Sequence, residues 1–163
     1  MLGPFIFAAV AALPAFVAAD FIPAGSGAHF INTQNTTLAL KAQALEPGAS
    51  LVMALVGDGS ASDPTVLHPV LGSGVPTQIQ TGGGFCITAN GVEPEGATQT
   101  LVIAECSDDP KQLWVLNVDD PMTISNADGN CIALGRPAVS VPVVLDFCKE
   151  EVLSHELWNP IVA

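Results

Sequence analysis

The amino-acid sequence predicts an all-β domain of three similar units that close around a pseudo-threefold axis. Three observations support this prediction: short aliphatic runs bounded by turn residues, a tail motif that recurs along the chain, and cysteines that fall in pairs inside the recurring units. With 163 residues, of which only 12% are charged, the chain has the size of one domain. We therefore expect a single hydrophobic core.

The predicted strands are short β-branched or aliphatic runs. Examples are 51–56, 101–104 and 143–145, which are bounded by Gly, Pro, Asp or Ser. After the first 19 residues no window keeps an i, i+3, i+4 apolar stripe for three turns, and Gly and Pro occur in nearly every block of ten. We expect almost no helix beyond a short turn.

A six-residue tail recurs and ends at His68, Trp114 and Trp158, with spacings of 46 and then 44 residues. Each tail follows a short strand that comes after a turn. Three such units cannot each bury an apolar face alone and are too few for an open solenoid, so closure around a pseudo-threefold axis is the economical solution. Closure also removes exposed sheet edges. The predicted units are 28–73, 74–118 and 119–163.

The four cysteines agree with these boundaries. Cys86 and Cys106 lie in the second unit, and Cys131 and Cys148 lie in the third. The other two connectivities would tie one unit to the next, so we expect pairing within units. Loops of this size stabilise by roughly 3 kcal/mol each on the chain-entropy model.

The first unit is the degenerate one. It carries Leu38 and Leu55 where the other units align their cysteines, and His68 where they align tryptophan.

The first 19 residues predict a cleaved signal peptide. They carry no charged side chain, break at Pro14 and close on small residues at Ala18 and Ala19, which places cleavage before Asp20. A retained signal anchor is the alternative, although Pro4, Pro14 and Pro23 argue against a spanning helix. An even number of cysteines behind such a leader indicates disulfides in a secreted protein. Asn35 heads a glycosylation sequon in the same compartment.

The charge balance excludes two classes of partner. The formal net charge is −12, and the basic residues are limited to Lys41, Lys111, Arg136 and Lys149. Such a chain repels phosphate backbones and anionic lipid headgroups, so we expect neither nucleic acid nor a membrane surface as partner.

Two of the tails carry a more specific pattern. Gln112-Leu113-Trp114 and Glu156-Leu157-Trp158 each follow a cysteine pair, and this arrangement resembles the Q-x-W repeat of the ricin-B-type β-trefoil lectins over roughly residues 28–160. The resemblance implies a β-trefoil. We expect the Leu and Trp of each tail to point to the barrel axis, with each indole N–H bonded to a backbone carbonyl.

The resemblance also implies shallow sugar pockets, one per repeat, each with a carboxylate for sugar hydroxyls and an aromatic ring for stacking. The carboxylate positions fall on Leu40, Thr88 and Ala133, none of which is acidic. The stacking positions fall on Ala104 and Asp146, so we expect the stacking rings to be missing.

The third repeat keeps the most polar groups near its expected site. Asp146, Lys149 and His155 are the candidate carbohydrate-binding residues there. Lys111, which occupies the position of His155 in the second repeat, is a fourth candidate. We expect no cofactor.

The sequence contains no motif that indicates a catalytic nucleophile or a metal site. The Gly-Asp-Gly-Ser and Gly-Ser-Gly runs at 57–60 and 72–74 are not nucleophile elbows, so no enzyme is expected. His29, His68 and His155 have no second ligand at metal-binding spacing, so no metal is expected either.

We therefore predict a secreted, non-catalytic lectin-like protein whose partner is a glycan or glycoprotein. A secreted β-trefoil protease inhibitor, acting through the loops Val92–Thr98 or Ala133–Pro142, is the alternative, as is a scaffold for another extracellular protein.

Overall fold

A computed structural model describes residues 22–60, 62–90, 99–118, 122–148 and 154–163. The expected leader 1–19, the loop Val92–Thr98 and Lys149 lie outside the described residues.

Short antiparallel strands make up most of the regular structure. In chain order they are β1 (Ala28–Asn32), β2 (Leu38–Ala42), β3 (Leu51–Leu55), β4 (Val66–Pro69), β5 (Pro76–Thr77), β6 (Ile79–Thr81), β7 (Phe85–Asn90), β8 (Gln99–Glu105), β9 (Trp114–Leu116), β10 (Ile124–Asn126), β11 (Asn130–Leu134), β12 (Val143–Phe147) and β13 (Trp158–Val162).

Helical structure in this part of the chain is limited to two 3-10 turns, Pro110–Gln112 and Ser154–Glu156, which confirms the prediction of an all-β fold. No helix among the described residues has both the length and the apolar character that crossing a membrane requires.

Six strand positions form a closed ring, in which β5 and β6, separated only by Gln78, together make one position. β1 pairs with both β4 and β13, β4 pairs with β6, and β9 pairs with both β5 and β10. A bridge between Met122 and Trp158 joins the segment before β10 to β13 and completes the ring. The first strand of the domain therefore pairs with its last.

Three hairpins accompany the ring, one from each repeat: β2–β3, β7–β8 and β11–β12. Each hairpin touches the other two. β8 pairs with β12, and bridges from Ser50 to Val102 and from Val52 to Pro142 join β3 to its neighbours. Three equivalent hairpins that contact each other pairwise give the pseudo-threefold arrangement that the sequence predicts.

The tryptophans of the second and third repeats anchor the core. Trp114 and Trp158 are fully buried, and their indole N–H groups donate to the carbonyls of Ile87 and Ile132 at 2.9 Å. Each bond joins a ring strand to the hairpin of the same repeat. The expectation for the tryptophans is confirmed.

The expectation for the leucine between Gln and Trp is wrong. Leu113 is 38% exposed, whereas Gln112 and Glu156 are buried. The 3-10 turn immediately before each tryptophan turns the middle residue of the motif outward and the first residue inward.

The strand register corrects the alignment of the first repeat. Trp114 faces Asn126 and Trp158 faces Asn32, while the corresponding partner of Thr81 is Leu67, which is fully buried. Leu67, not His68, is therefore the counterpart of the tryptophans. The turn that begins at Asp63 is one residue shorter than the turn that begins at Asp109, and an ungapped alignment hides this difference.

The same correction applies to the cysteines. Disulfides join Cys86 to Cys106 and Cys131 to Cys148, which is the expected pairing within repeats. Ala39 pairs with β1 at the position where Cys86 pairs with β6, so Ala39 takes the place of Cys86. Across the hairpin, Val56 then takes the place of Cys106. The expected counterparts, Leu38 and Leu55, are each one residue too early.

A buried polar network ties the segment after β3 to β1 in the first repeat. The Thr65 hydroxyl bonds His29 Nδ1 at 2.9 Å and donates to the Asp63 carboxylate at 2.7 Å. Burial raises the pKa of Asp63, but hydrogen bonds from the hydroxyl and N–H of Thr65, the Gly59 N–H and the nearby His29 outweigh burial and lower this pKa below its ordinary value.

Candidate functional site

A pocket of about 620 Å³ opens on the surface of the third repeat. It lies between the hairpin β11–β12, the first residue of β8 and the 3-10 turn Ser154–Glu156. Its polar and aromatic lining consists of Gln99, Asn130, Asp146, Phe147 and His155. Backbone and aliphatic atoms of 133–135 and 144–145 form the rest of the wall.

Two of the sequence-predicted site residues meet in this pocket. His155 Nε2 lies 3.9 Å from Asp146 Oδ2, and the two side chains are 26% and 46% exposed. The buried Asn32 side chain donates to the carbonyls of His155 and Leu157, at 3.3 and 3.2 Å. The first repeat thereby holds the turn that presents His155.

The two predicted lysines do not join them in the described structure. Lys111 lies in the 3-10 turn of the second repeat, where it precedes Gln112 as His155 precedes Glu156, and it does not line the third-repeat pocket. Lys149 lies outside the described residues.

Sequence reasoning missed an aromatic ring at the pocket. Phe147 is 67% exposed and belongs to the pocket lining, although neither expected stacking position, Ala104 or Asp146, is aromatic. Strand alternation places Phe147 on the same side of β12 as the buried Val143 and Leu145. Because β12 ends at Phe147, beyond the packed core, this ring is left in solvent.

The pocket chemistry is specific to the third repeat. Asp146 faces Cys131 across the hairpin, and the residues in the same register of the first and second repeats are Ala54 and Ala104. The position two residues after the first cysteine becomes Lys41 in the first repeat once Ala39 is aligned, in place of the expected Leu40, which is buried in the core.

A second missed residue is Glu156, which lies beneath His155. It is 0% exposed, and neither carboxyl oxygen has a hydrogen-bond partner among the described residues. Its Oε1 lies 3.7 Å from His155 Nε2. The equivalent Gln112 is fully bonded, since its Nε2 donates to the Glu105 carbonyl at 2.9 Å and its Oε1 accepts from the Ser107 N–H at 2.8 Å.

The glycosylation sequon lies away from the pocket lining, in the turn between β1 and β2. Asn35 is partly exposed, and its Oδ1 accepts hydrogen bonds from the N–H and hydroxyl of Thr37.

Comparison with known proteins identifies similar structures but no similar sequence. No protein-family model matches the chain, and no curated protein matches its sequence. A mosquitocidal holotoxin superposes with a TM-score of 0.72 at 11% identity, over 87% of this chain and 18% of the toxin. The designed threefold-symmetric protein ThreeFoil superposes with a TM-score of 0.70 at 9% identity, over 84% of this chain and 99% of the design.

The chain is a β-trefoil. A third neighbour is the Polyporus squamosus lectin bound to the human-type influenza-binding epitope Neu5Acα2-6Galβ1-4GlcNAc, with a TM-score of 0.69 at 10% identity. The superposition covers 86% of this chain and 50% of that lectin. The β-trefoil thus spans about half of the lectin and under a fifth of the toxin.

Proposed function

We propose that the protein is a secreted, non-catalytic glycan-binding protein of lectin type, with its sugar site in the third-repeat pocket. One observation carries the proposal: Asp146, whose carboxylate is half exposed, and Phe147, an exposed aromatic residue, both belong to the lining of the same open pocket.

The two groups suit the two sides of a sugar. A carboxylate accepts hydrogen bonds from adjacent hydroxyls and a ring packs on the apolar C–H face. His155, 3.9 Å from Asp146, adds a nitrogen that donates or accepts. Asn130 and Gln99 on the wall supply amide groups that fix orientation. No proton relay or nucleophile is needed for binding.

The structural neighbours support this choice of ligand class. A lectin with a bound sialylated oligosaccharide shares the fold, although identity near 10% relates the two by fold alone. The third repeat binds with a different residue set from the one that the resemblance implies, because Asp146 occupies the position expected for the ring and Phe147 follows it.

Secretion is part of the same proposal. Two disulfides are stable in oxidising compartments, and the apolar residues 1–19 suit a leader that is removed before Asp20. The half-exposed Asn35 turn is open to glycosylation in that compartment. The mature protein would then be one domain of three repeats. Lys149, which follows the second cysteine of the third repeat in the sequence, is a further candidate for contact with the sugar.

A glycan array, probed with the purified protein and three variants, tests the proposal. We expect specific binding that free sugar competes, and loss of at least tenfold in apparent affinity for Asp146→Asn and for Phe147→Ala. The matched control is Glu105→Ala, because Glu105 occupies the register position of Phe147 in the second repeat and is exposed. It should bind as the unmodified protein does.

Two results would contradict the proposal. Binding that survives both third-repeat variants would place the sugar elsewhere, and absence of binding across the array would favour a protein partner. In the second case, inhibition of a protease that is lost on changes within 133–142 would identify the inhibitor function.

A further inference from the structure

We infer that Asp146, His155 and Glu156 form a binding site for a divalent transition-metal ion of the zinc type. His155 Nε2 lies 3.9 Å from Asp146 Oδ2 and 3.7 Å from Glu156 Oε1, and the three donor atoms all lie within 4.8 Å of one another. This inference goes beyond glycan binding and does not depend on it.

The buried carboxyl of Glu156 is the independent observation that points to a ligand. It is 0% exposed, and both oxygens lack hydrogen-bond partners among the described residues. A buried polar group without a partner is costly, and buried carboxylates in proteins are normally paired or bound to metal. His155 Nε2, 3.7 Å from Glu156 Oε1, is close enough to share an ion with it.

The second repeat shows that the fold does not require this carboxyl. Gln112 fills the same position and satisfies both ends of its amide with the backbone. The two other positions differ as well: Lys111 stands where the third repeat has His155, and Ala104 where it has Asp146. The three donors therefore occur together in one repeat, and all three are absent from the equivalent positions of the other.

The donor set selects the class of ion. Calcium and magnesium prefer ligand shells made of oxygen alone, whereas imidazole together with carboxylates suits zinc and similar late first-row ions. Bonds of about 2.0–2.2 Å to a tetrahedral ion place donors roughly 3.3–3.6 Å apart, so the site closes by small side-chain movements. The partly exposed Asp146 and His155 have the freedom for this.

Electrostatics favour the same ion. Two carboxylates provide a local charge that a divalent cation neutralises, and the chain as a whole is strongly acidic, with a formal charge of −12. Three protein ligands leave a fourth position for water or a ligand oxygen. Because Asp146 and His155 line the pocket, that position opens toward it.

Isothermal titration of the purified protein with zinc chloride, with no glycan present, tests this inference. We expect one zinc ion per chain, with magnesium at the same concentration giving no binding. The Glu156→Gln variant should bind at least about tenfold more weakly, since loss of a residue that merely orients a ligand already costs 10–100-fold. Gln112 shows that glutamine fits the equivalent position, so this variant should fold.

Two further proteins make the result decisive. His155→Gln should also lose at least tenfold, and it should abolish the visible absorption bands that tetrahedral cobalt gives when it replaces zinc. Asp108→Asn removes one exposed carboxylate from the second repeat and should leave zinc affinity unchanged. Failure to bind zinc, or affinity that is equal in Glu156→Gln and the unmodified protein, would overturn the site while leaving glycan binding untouched.

Discussion

Replacing Glu156 by glutamine should stabilise the metal-free protein. Glu156 is fully buried and has no hydrogen-bond partner among the described residues, whereas Gln112 in the same position of the second repeat donates to the Glu105 carbonyl. Phe147 occupies the position of Glu105 in the third repeat, so its backbone carbonyl is the corresponding acceptor. A glutamine amide there has an acceptor, and the unpaired carboxyl is removed.

The magnitude follows from these two contributions. A new buried hydrogen bond contributes about 0.5–1.5 kcal/mol, and an unsatisfied buried group costs about 1–3 kcal/mol, so the net gain should be about 1–3 kcal/mol. For a chain of this length that corresponds to a rise in Tm of roughly 2–10 °C. Thermal and urea unfolding in the presence of a chelator measure it.

The reverse change in the second repeat is the matched control. Gln112→Glu sets a carboxyl oxygen against the Glu105 carbonyl and should destabilise by about 2–4 kcal/mol. If Gln112→Glu behaves in this way but Glu156→Gln is no more stable than the unmodified protein, then Glu156 has a satisfying partner in the metal-free state and the reasoning is refuted.

Three further perturbations should act on other parts of the fold. Because the folded-state pKa of Asp63 is lowered from its ordinary 3.8, its stabilisation is present above that value and is lost as pH falls through the lower folded pKa. The difference in Tm between the unmodified protein and Asp63→Asn should therefore shrink in acid, and a constant difference would contradict this. Replacing Cys131 and Cys148 by serine should cost about 3 kcal/mol in urea unfolding, as expected for a 17-residue separation, with no effect if the bridge does not form. Trp158→Phe removes the indole bond to Ile132 as well as buried volume, and should cost about 2–4 kcal/mol by the same measurement, whereas a cost below 1 kcal/mol would show that the bond and its packing matter little.

The fold could be predicted because it repeats. Each repeat needs the others to bury its apolar face, and the two cysteine pairs and two Leu-Trp tails mark the same unit twice. Burial of Trp114 and Trp158, with a backbone partner for each indole, follows from the size and polarity of the side chain.

The sequence alignment of the first repeat differs from the strand register for a physical reason. It has neither cysteine nor tryptophan, so its only landmark is the Asp-Pro pair at 63–64, which aligns with 109–110. Both aspartates accept from the N–H two residues later, but the turns that follow differ in length by one residue. Sequence alone does not reveal where a turn returns to the strand, whereas pairing of Leu67 with Thr81 does.

The candidate site was only partly predictable. The sequence predicts Asp146 and His155 as polar residues near the position that the resemblance indicates, and both lie in one pocket. Phe147 was missed because its exposure depends on where β12 ends relative to the core, which strand alternation does not specify. Glu156 resembles a conservative change from glutamine, and its lack of partners is visible only in three dimensions.

The most direct test of glycan binding at the third repeat is an NMR titration of the isotope-labelled protein with the oligosaccharides of the array. Saturable shifts are predicted for the backbone amides of residues that line the pocket, namely Asn130, Ala133, Gly135, Asp146 and Phe147. Shifts confined to the first or second repeat, or no shift with any oligosaccharide, would contradict a sugar site in this pocket.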